Sequence, residues 1–523
     1  MRRANQMFGT TSVPRSTQAT TKNKDGYPAF ERPVEEQYVQ CLLTNTLGQT
    51  FYADSRDLLK EADALHQQMV KADPAFVAKA LAFARKRGFM RTQPILGLSH
   101  LAGVKEAPFA QTFNDVIFTP NDLADFLTMI RSMRKGPVSV SFGGKVRQRS
   151  DDLRGSQGGS RIKKAAGKWL IEKLGEYWTV KYGAEKKGGA YSLKQMIQVL
   201  HPDAKGQKLP LFDYIMEREG ASLAELPQIQ AFEALKSAKT PEEKIKAIID
   251  GRLPHEVATT FAGKDAKVWE AIVPNLPIFA LLKNLATLER HGVLESNRKL
   301  ISGKFADAAT IQKSKILPYR FLEARKHVNA AWAQDALRDG LDLSFGNFDD
   351  IEGRSAVFLD ISGSMESYIQ TAAIFAVCLM KKTGGDGRFL CYDTQLDEVK
   401  VSMRDSTLTQ AERIHARGET NTSLPMKKLL SDRDKVDNII LITDEQQNMG
   451  APFIDALDEY RRKVNRNVRC FVINVAPYHG SLMPVEGNTY YIYGWSDQVL
   501  QFVSMASKGW GSQVDAIRQG VAS

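Results

Sequence analysis

Cysteine is scarce in this chain: Cys41, Cys378, Cys391 and Cys470 are the only four among 523 residues. Their spacing matches neither a zinc-ligand pattern nor a disulfide framework. Three of them lie inside apolar helix or strand patterns, so they read as buried thiols of a reducing, cytoplasmic protein. Long apolar runs are missing too. No stretch approaches the roughly 18 apolar residues of a membrane-spanning helix, which excludes a membrane partner of that kind. Residues 1–24 are polar, rich in Thr, Ser, Lys and Arg, and lack the apolar segment of a secretory signal; they read as a flexible arm. No Gly-x-x-x-x-Gly-Lys-Ser/Thr loop, nucleophile elbow or carboxylate–histidine cluster is present. The chain therefore does not read as an enzyme. No helix-turn-helix or zinc-finger pattern points to duplex DNA.

What is abundant is positive charge, and it is concentrated. The chain carries a formal +11. Residues 131–210 hold 18 Lys and Arg against 6 Asp and Glu, a net +12, so the rest of the chain sums to −1. A focused cationic segment is the electrostatic footprint of a polyanion, and RNA is the expected partner. On a helical wheel over 161–174, Ile162, Ala165, Ala166, Trp169 and Leu170 share one face. Arg161, Lys164 and Lys168 fall opposite, with Lys163 at the flank. Lys181, Lys186, Lys187 and Lys194 follow, then His201 before Pro202 at a helix end, where a lone His most often serves the last carbonyls. Stretch 137–160 reads as a polar, flexible, basic loop.

The organisation changes once. From about 26 to 340, apolar residues recur three and four apart in some ten segments, among them 56–70, 74–87, 120–135, 161–177, 277–290 and 320–335. Caps and stops such as Asp73-Pro74 and Thr240-Pro241-Glu242-Glu243 bound them. This pattern predicts an α-solenoid or closed helical array. After an acidic, turn-rich connector near 343, strands alternate with helices: 355–359, 368–381, 388–392, 438–443, 452–465, 468–475 and 489–493. The expected domains are an arm at 1–24, an all-α domain at 25–342, and a Rossmann-like α/β domain at 343–523 with a mostly parallel sheet.

Asp360-Ile361-Ser362-Gly363-Ser364 follows the buried-strand run 356–359, at the carboxyl end where open α/β sheets place ligands. Thr420 lies in Gly418-Glu419-Thr420-Asn421-Thr422, and Asp444 directly follows strand 438–443. Asp360, Ser362, Ser364, Thr420 and Asp444 offer oxygen alone, which suits a hard divalent cation, Mg²⁺ first. This order of residues resembles the metal-ion-dependent adhesion site of von Willebrand factor A domains. A metal-dependent protein-docking module is the alternative reading of the chain.

Other stretches resemble the Ro autoantigen family. They are Asp25-Gly26-Tyr27 with Phe30, Thr50-Phe51-Tyr52, Tyr191-Ser192-Leu193-Lys194 through His201-Pro202, Leu276-Pro277-Ile278-Phe279-Ala280-Leu281-Leu282-Lys283-Asn284-Leu285, and Lys315-Ile316-Leu317-Pro318-Tyr319. The helical part of that family is the TROVE domain, and the resemblance fits a bacterial member. It implies HEAT-like repeats closed into a ring, followed by a von Willebrand factor A-like domain. It also implies a monomer that binds Y-type non-coding RNA on the outer surface and the single-stranded 3′ ends of misfolded RNA in the central hole. A 3′-to-5′ exoribonuclease, polynucleotide phosphorylase, is the implied enzyme partner in RNA quality control. By position, Lys181 and His201 fall where the family contacts Y RNA, with Lys186 nearby. Glu419 and Asn421 depart from the Gly and Asp often found beside the metal-site threonine.

Overall fold

The computed structural model describes residues 14–45, 54–133, 138–142, 145–149, 159–183, 191–314, 316, 318–346, 350–486, 488–494, 503 and 513–520. These form two compact units. One joins the described residues up to 59 with 348–516; the other holds 60–347 and the carboxyl-terminal residues from 517. After a short 3-10 turn at Arg15–Gln18, β1 (Thr21–Lys22) pairs antiparallel with β2 (Pro28–Ala29), and the helix Val34–Thr44 follows. None of the described helices is long and apolar enough to cross a membrane.

Among the described residues the second unit is helical up to Ser344, apart from one hairpin. Its helix starts are written in the sequence. Asp73 caps Pro74–Lys86 by accepting from Phe76 N, and Thr119, Ser192 and Thr240 each form a reciprocal capping box. Such caps contribute about 1 kcal/mol each. Neighbouring helices then pack on one another: Pro74–Lys86 on Thr92–Leu101 and Phe109–Val116, and Phe109–Val116 on Gly159–Lys173. Phe109, Phe113 and Phe126 form a buried aromatic cluster between them.

Two expectations are corrected here. The segment expected as a single helix over 320–335 is two helices, Tyr319–Arg325 and Ala331–Ser344. The Glu289 carboxylate accepts from Asn329 N at 3.0 Å and Ala330 N at 2.7 Å, so a distant acid caps the second helix and breaks the run. The expected basic loop also contains a hairpin: β3 (Val138–Phe142) pairs antiparallel with β4 (Lys145–Arg149), from Val138 opposite Arg149 to Phe142 opposite Lys145.

The first unit is built on a six-stranded sheet. It comprises β5 (Ser355–Asp360), β6 (Gly387–Tyr392), β7 (Leu396–Glu398), β8 (Asn438–Thr443), β9 (Arg469–Asn474) and β10 (Thr489–Tyr493). The order is β10-β9-β8-β5-β6-β7, parallel except for the short edge strand β7. Every residue of β5 and β8 is buried, which is why both strands are near-continuous apolar runs. The chain leaves β5 towards β6 and returns on the other side as β8. The carboxyl ends of β5 and β8 thus flank a topological switch point.

Residues 14–44 belong to this unit, which differs from the expected arm and from the expected start of the helical domain at 25. Asn23 Nδ2 donates to Gln447 O at 2.6 Å, Lys24 N to Gln446 Oε1 at 2.8 Å, and Ser16 N to Asp455 Oδ1 at 2.9 Å. Arg32, fully buried, pairs with Glu445 and lies over the rings of Tyr491 and Tyr493 at 5.3 and 5.9 Å. These partners are more than 400 positions apart, and periodicity carries no trace of them.

Candidate functional site

Asp360 is the last residue of β5 and is wholly buried. One carboxylate oxygen accepts from Ser362 N at 3.0 Å and the other from Thr443 Oγ1 at 2.7 Å. A tight turn over Gly363–Met365 brings Ser362 Oγ within 3.3 Å of Ser364 Oγ. The loop carrying Thr420 lies alongside: Gly363 N donates to Gly418 O at 3.0 Å and Arg417 N to Ile361 O at 2.6 Å. Gly418 has φ +67°, and a Cβ there would come within 2.8 Å of Asp393 Oδ2, so this close approach requires glycine. Thr420 is buried; its N donates to Asn448 Oδ1 at 2.9 Å, and its carbonyl accepts from Asn448 N and Met449 N.

Asp444 follows β8 and is also buried. Its Oδ1 accepts from Gln446 N at 3.1 Å, while Oδ2 is buried and makes no hydrogen bond. Burial pushes the Asp444 carboxyl up to about 8, and the Asp360 charge pushes the same way; the Ser364 hydroxyl opposes both. Burial raises Asp360 as well, against bonds from Ser362 and Thr443. Two buried carboxylates that disfavour each other's charge, one with an orphaned oxygen, fit a small cation, which would relieve both penalties. The donors present are oxygens, as a hard cation requires.

The basic face lies in the other unit, on the helix Gly159–Lys173. Ile162, Ala166, Trp169 and Leu170 are buried as the wheel predicts, and Trp169 Nε1 donates to Ile117 O at 3.0 Å. Lys164 and Lys168 are exposed. Lys168 pairs with Glu172 at 3.6 Å, an exposed i,i+4 contact of about 0.3–0.5 kcal/mol that a phosphate readily replaces. Lys163 is half-buried.

Arg161 does not stand on the solvent face with these lysines. Its guanidinium donates to Val104 O at 2.5 Å and Ala107 O at 2.9 Å, over the Phe109 ring. Lys181 is also engaged. It pairs with Glu256 at 2.5 Å, with its side chain 15% exposed, among the rings of Tyr177, Trp178 and Tyr182. Burial works against its charge, but the hydrogen bond and charge of Glu256, together with Tyr182 and Tyr177, outweigh it and raise Lys181. His201 closes the helix Leu193–Leu200 in a left-handed conformation, φ +48°, and its backbone N–H donates to Ile197 O at 2.9 Å. Its side chain is exposed. Lys186 and Lys187 lie outside the described residues.

Sequence reasoning missed one cluster. Phe279, Lys283, Arg320 and His327 line a groove of about 180 Å³ between the helices Ile278–Arg290 and Tyr319–Arg325. The signal was available: Phe279 falls off the apolar stripe of Ile278, Leu281, Leu282 and Leu285, and it is 38% exposed.

Residues 255–468 match the TROVE domain family, a span that runs from the later helices to the residue before β9. RNA-binding protein RO60 of Deinococcus radiodurans is 22% identical over 490 residues, covering 87% of this chain and 88% of that protein. RNA-binding protein RO60 of Caenorhabditis elegans is 26% identical over 336 residues, 58% of this chain and 51% of that one. The crystal structure of the Deinococcus radiodurans RO (RSR) protein superposes with a TM-score of 0.66 at 18% identity, covering 90% of this chain and all of that one. That likeness establishes the fold: a helical region followed by an α/β sheet domain. With the TROVE match over 255–468 and the two RO60 relatives added, the chain is similar to Ro proteins along most of its length.

Proposed function

We propose that this protein binds RNA without cutting it. The observation that carries the reading is the exposed Lys164–Lys168 face in a segment of net +12, in a chain whose long relatives are named RNA-binding proteins. Exposed lysines attract phosphates chiefly by charge, so affinity falls steeply with salt. The finer reading follows the Ro resemblance. The helical unit closes as a ring, Y-type non-coding RNA lies on its outer basic surface, and single-stranded 3′ ends of misfolded RNA enter the hole. The complex then serves RNA quality control or presents RNA to an exoribonuclease. The test is competition between a structured RNA with a 3′ single-stranded tail and the same RNA made blunt. The tailed RNA is expected to win, and equal competition would remove the threading step.

A second reading rests on Asp444 Oδ2, buried without a partner. Asp360, Ser362, Ser364, Thr420 and Asp444 would hold Mg²⁺. The bound cation would supply a positive centre for a partner's carboxylate, making the α/β unit a docking module. The chain's own part is to bury the oxygens, through the Gly418 loop and the Ser362 turn, and to exclude water.

A further inference from the structure

We propose that the groove between the helices Ile278–Arg290 and Tyr319–Arg325 is a binding site for single-stranded RNA, with one base stacked on Phe279 and the flanking phosphates held by Lys283 and Arg320. The proposal rests on the RNA-binding reading and adds a location and a mode.

Phe279 is a large ring left exposed at the first turn of its helix, while its neighbours Ile278, Leu281 and Leu282 are buried. A structural phenylalanine would face the same way they do. Two cations attend it instead: Lys283 Nζ lies 4.5 Å and Arg320 Cζ 5.8 Å from the ring centre. An exposed ring with long cationic side chains beside it is the composition of a stacking platform for unpaired bases, which every base can use through its flat face. An incoming base displaces one cation from the ring, and that long side chain then reaches the adjacent phosphate. At about 180 Å³ the groove is smaller than the ~300–1,000 Å³ of typical small-molecule sites and suits one flat ring. Glu323 at the rim is paired with Lys326 at 2.8 Å, so its charge does not repel a phosphate unopposed.

A duplex cannot use the groove, because its bases are already stacked on one another and cannot present a face to Phe279.

The experiment is fluorescence anisotropy on the full chain with two probes, a 12-nucleotide single-stranded oligouridylate and a blunt RNA hairpin. Phe279→Ala should weaken the oligouridylate roughly tenfold, within the ~1–3 kcal/mol range of base–aromatic stacking, and leave the hairpin unchanged. Phe279→Trp should bind the oligouridylate at least as well as Phe279 does. Lys283→Glu should weaken it further and flatten its salt dependence. Phe279 is exposed, so unchanged thermal melting of the variants is expected. Wild-type affinity of Phe279→Ala for the oligouridylate, or equal weakening of both probes, overturns the groove while the RNA-binding reading stands. Failure of the unaltered protein to bind either probe overturns both.

Discussion

The two units solve opposite problems with charge. In the α/β unit the candidate ligand residues are buried and held by their neighbours: Asp360 accepts from Ser362 N, Asp444 accepts from Gln446 N, and Thr420 N donates to Asn448 Oδ1. In the helical unit the candidate cations Lys164 and Lys168 are exposed, and some of their neighbours are already spoken for, as Arg161 and Lys181 show. Burying charge is costly, so a buried site must be assembled in advance and shows in a motif. An exposed site costs little to build, so its identity lies in which cations remain available after the fold has claimed the rest.

The largest expected effect comes from breaking the buried side. Arg32→Met leaves Glu445 buried without its partner and should cost about 3–5 kcal/mol of stability, read as a shift in the urea midpoint of the α/β transition. A loss below 1 kcal/mol would mean that the pair does not hold the amino-terminal segment in place.

The helical unit offers a pH test. His66 is fully buried, and burial pushes its pKa down to about 4 despite a hydrogen bond with Gln93. The unfolded chain takes up the proton near pH 6.5, while the folded one resists until about 4. Stability from this group is therefore complete above pH 6.5 and is lost as pH falls towards 4, by about 3 kcal/mol over the window. His66→Gln should flatten that slope in a urea series across pH; an unchanged slope would assign the loss elsewhere.

A smaller shift sharpens the contrast from the metal side. Mg²⁺ at 100 times its dissociation constant should stabilise the protein by about 2–3 kcal/mol, read as a rise in melting temperature. Asp360→Ala should lose that rise. A rise that survives the substitution would place the cation at another site.

How much of this was legible follows the same division. Strands 438–443 and 489–493 were readable to the residue, because strands covered on both faces must be apolar runs between turn signals. Asp360 and Asp444 then fall at strand ends by position alone. The clasp by Arg32, the split of 320–335 by Glu289, and the capture of Arg161 by the carbonyls of Val104 and Ala107 join residues far apart in sequence. No local pattern encodes them. The β3–β4 hairpin is different. Val138, Val140 and Phe142 alternate with serines up to Gly143-Gly144, a two-residue hairpin signal that the basic composition of the stretch masked.

The most direct test of the central claim is the salt dependence of RNA binding by the unaltered protein and by the Lys164→Glu, Lys168→Glu double variant. If these exposed lysines grip phosphates, the plot of log affinity against log salt is steep for the unaltered protein, and its slope shrinks by about 2 in the variant. Two parallel lines of equal affinity would contradict the account and move the RNA to another face.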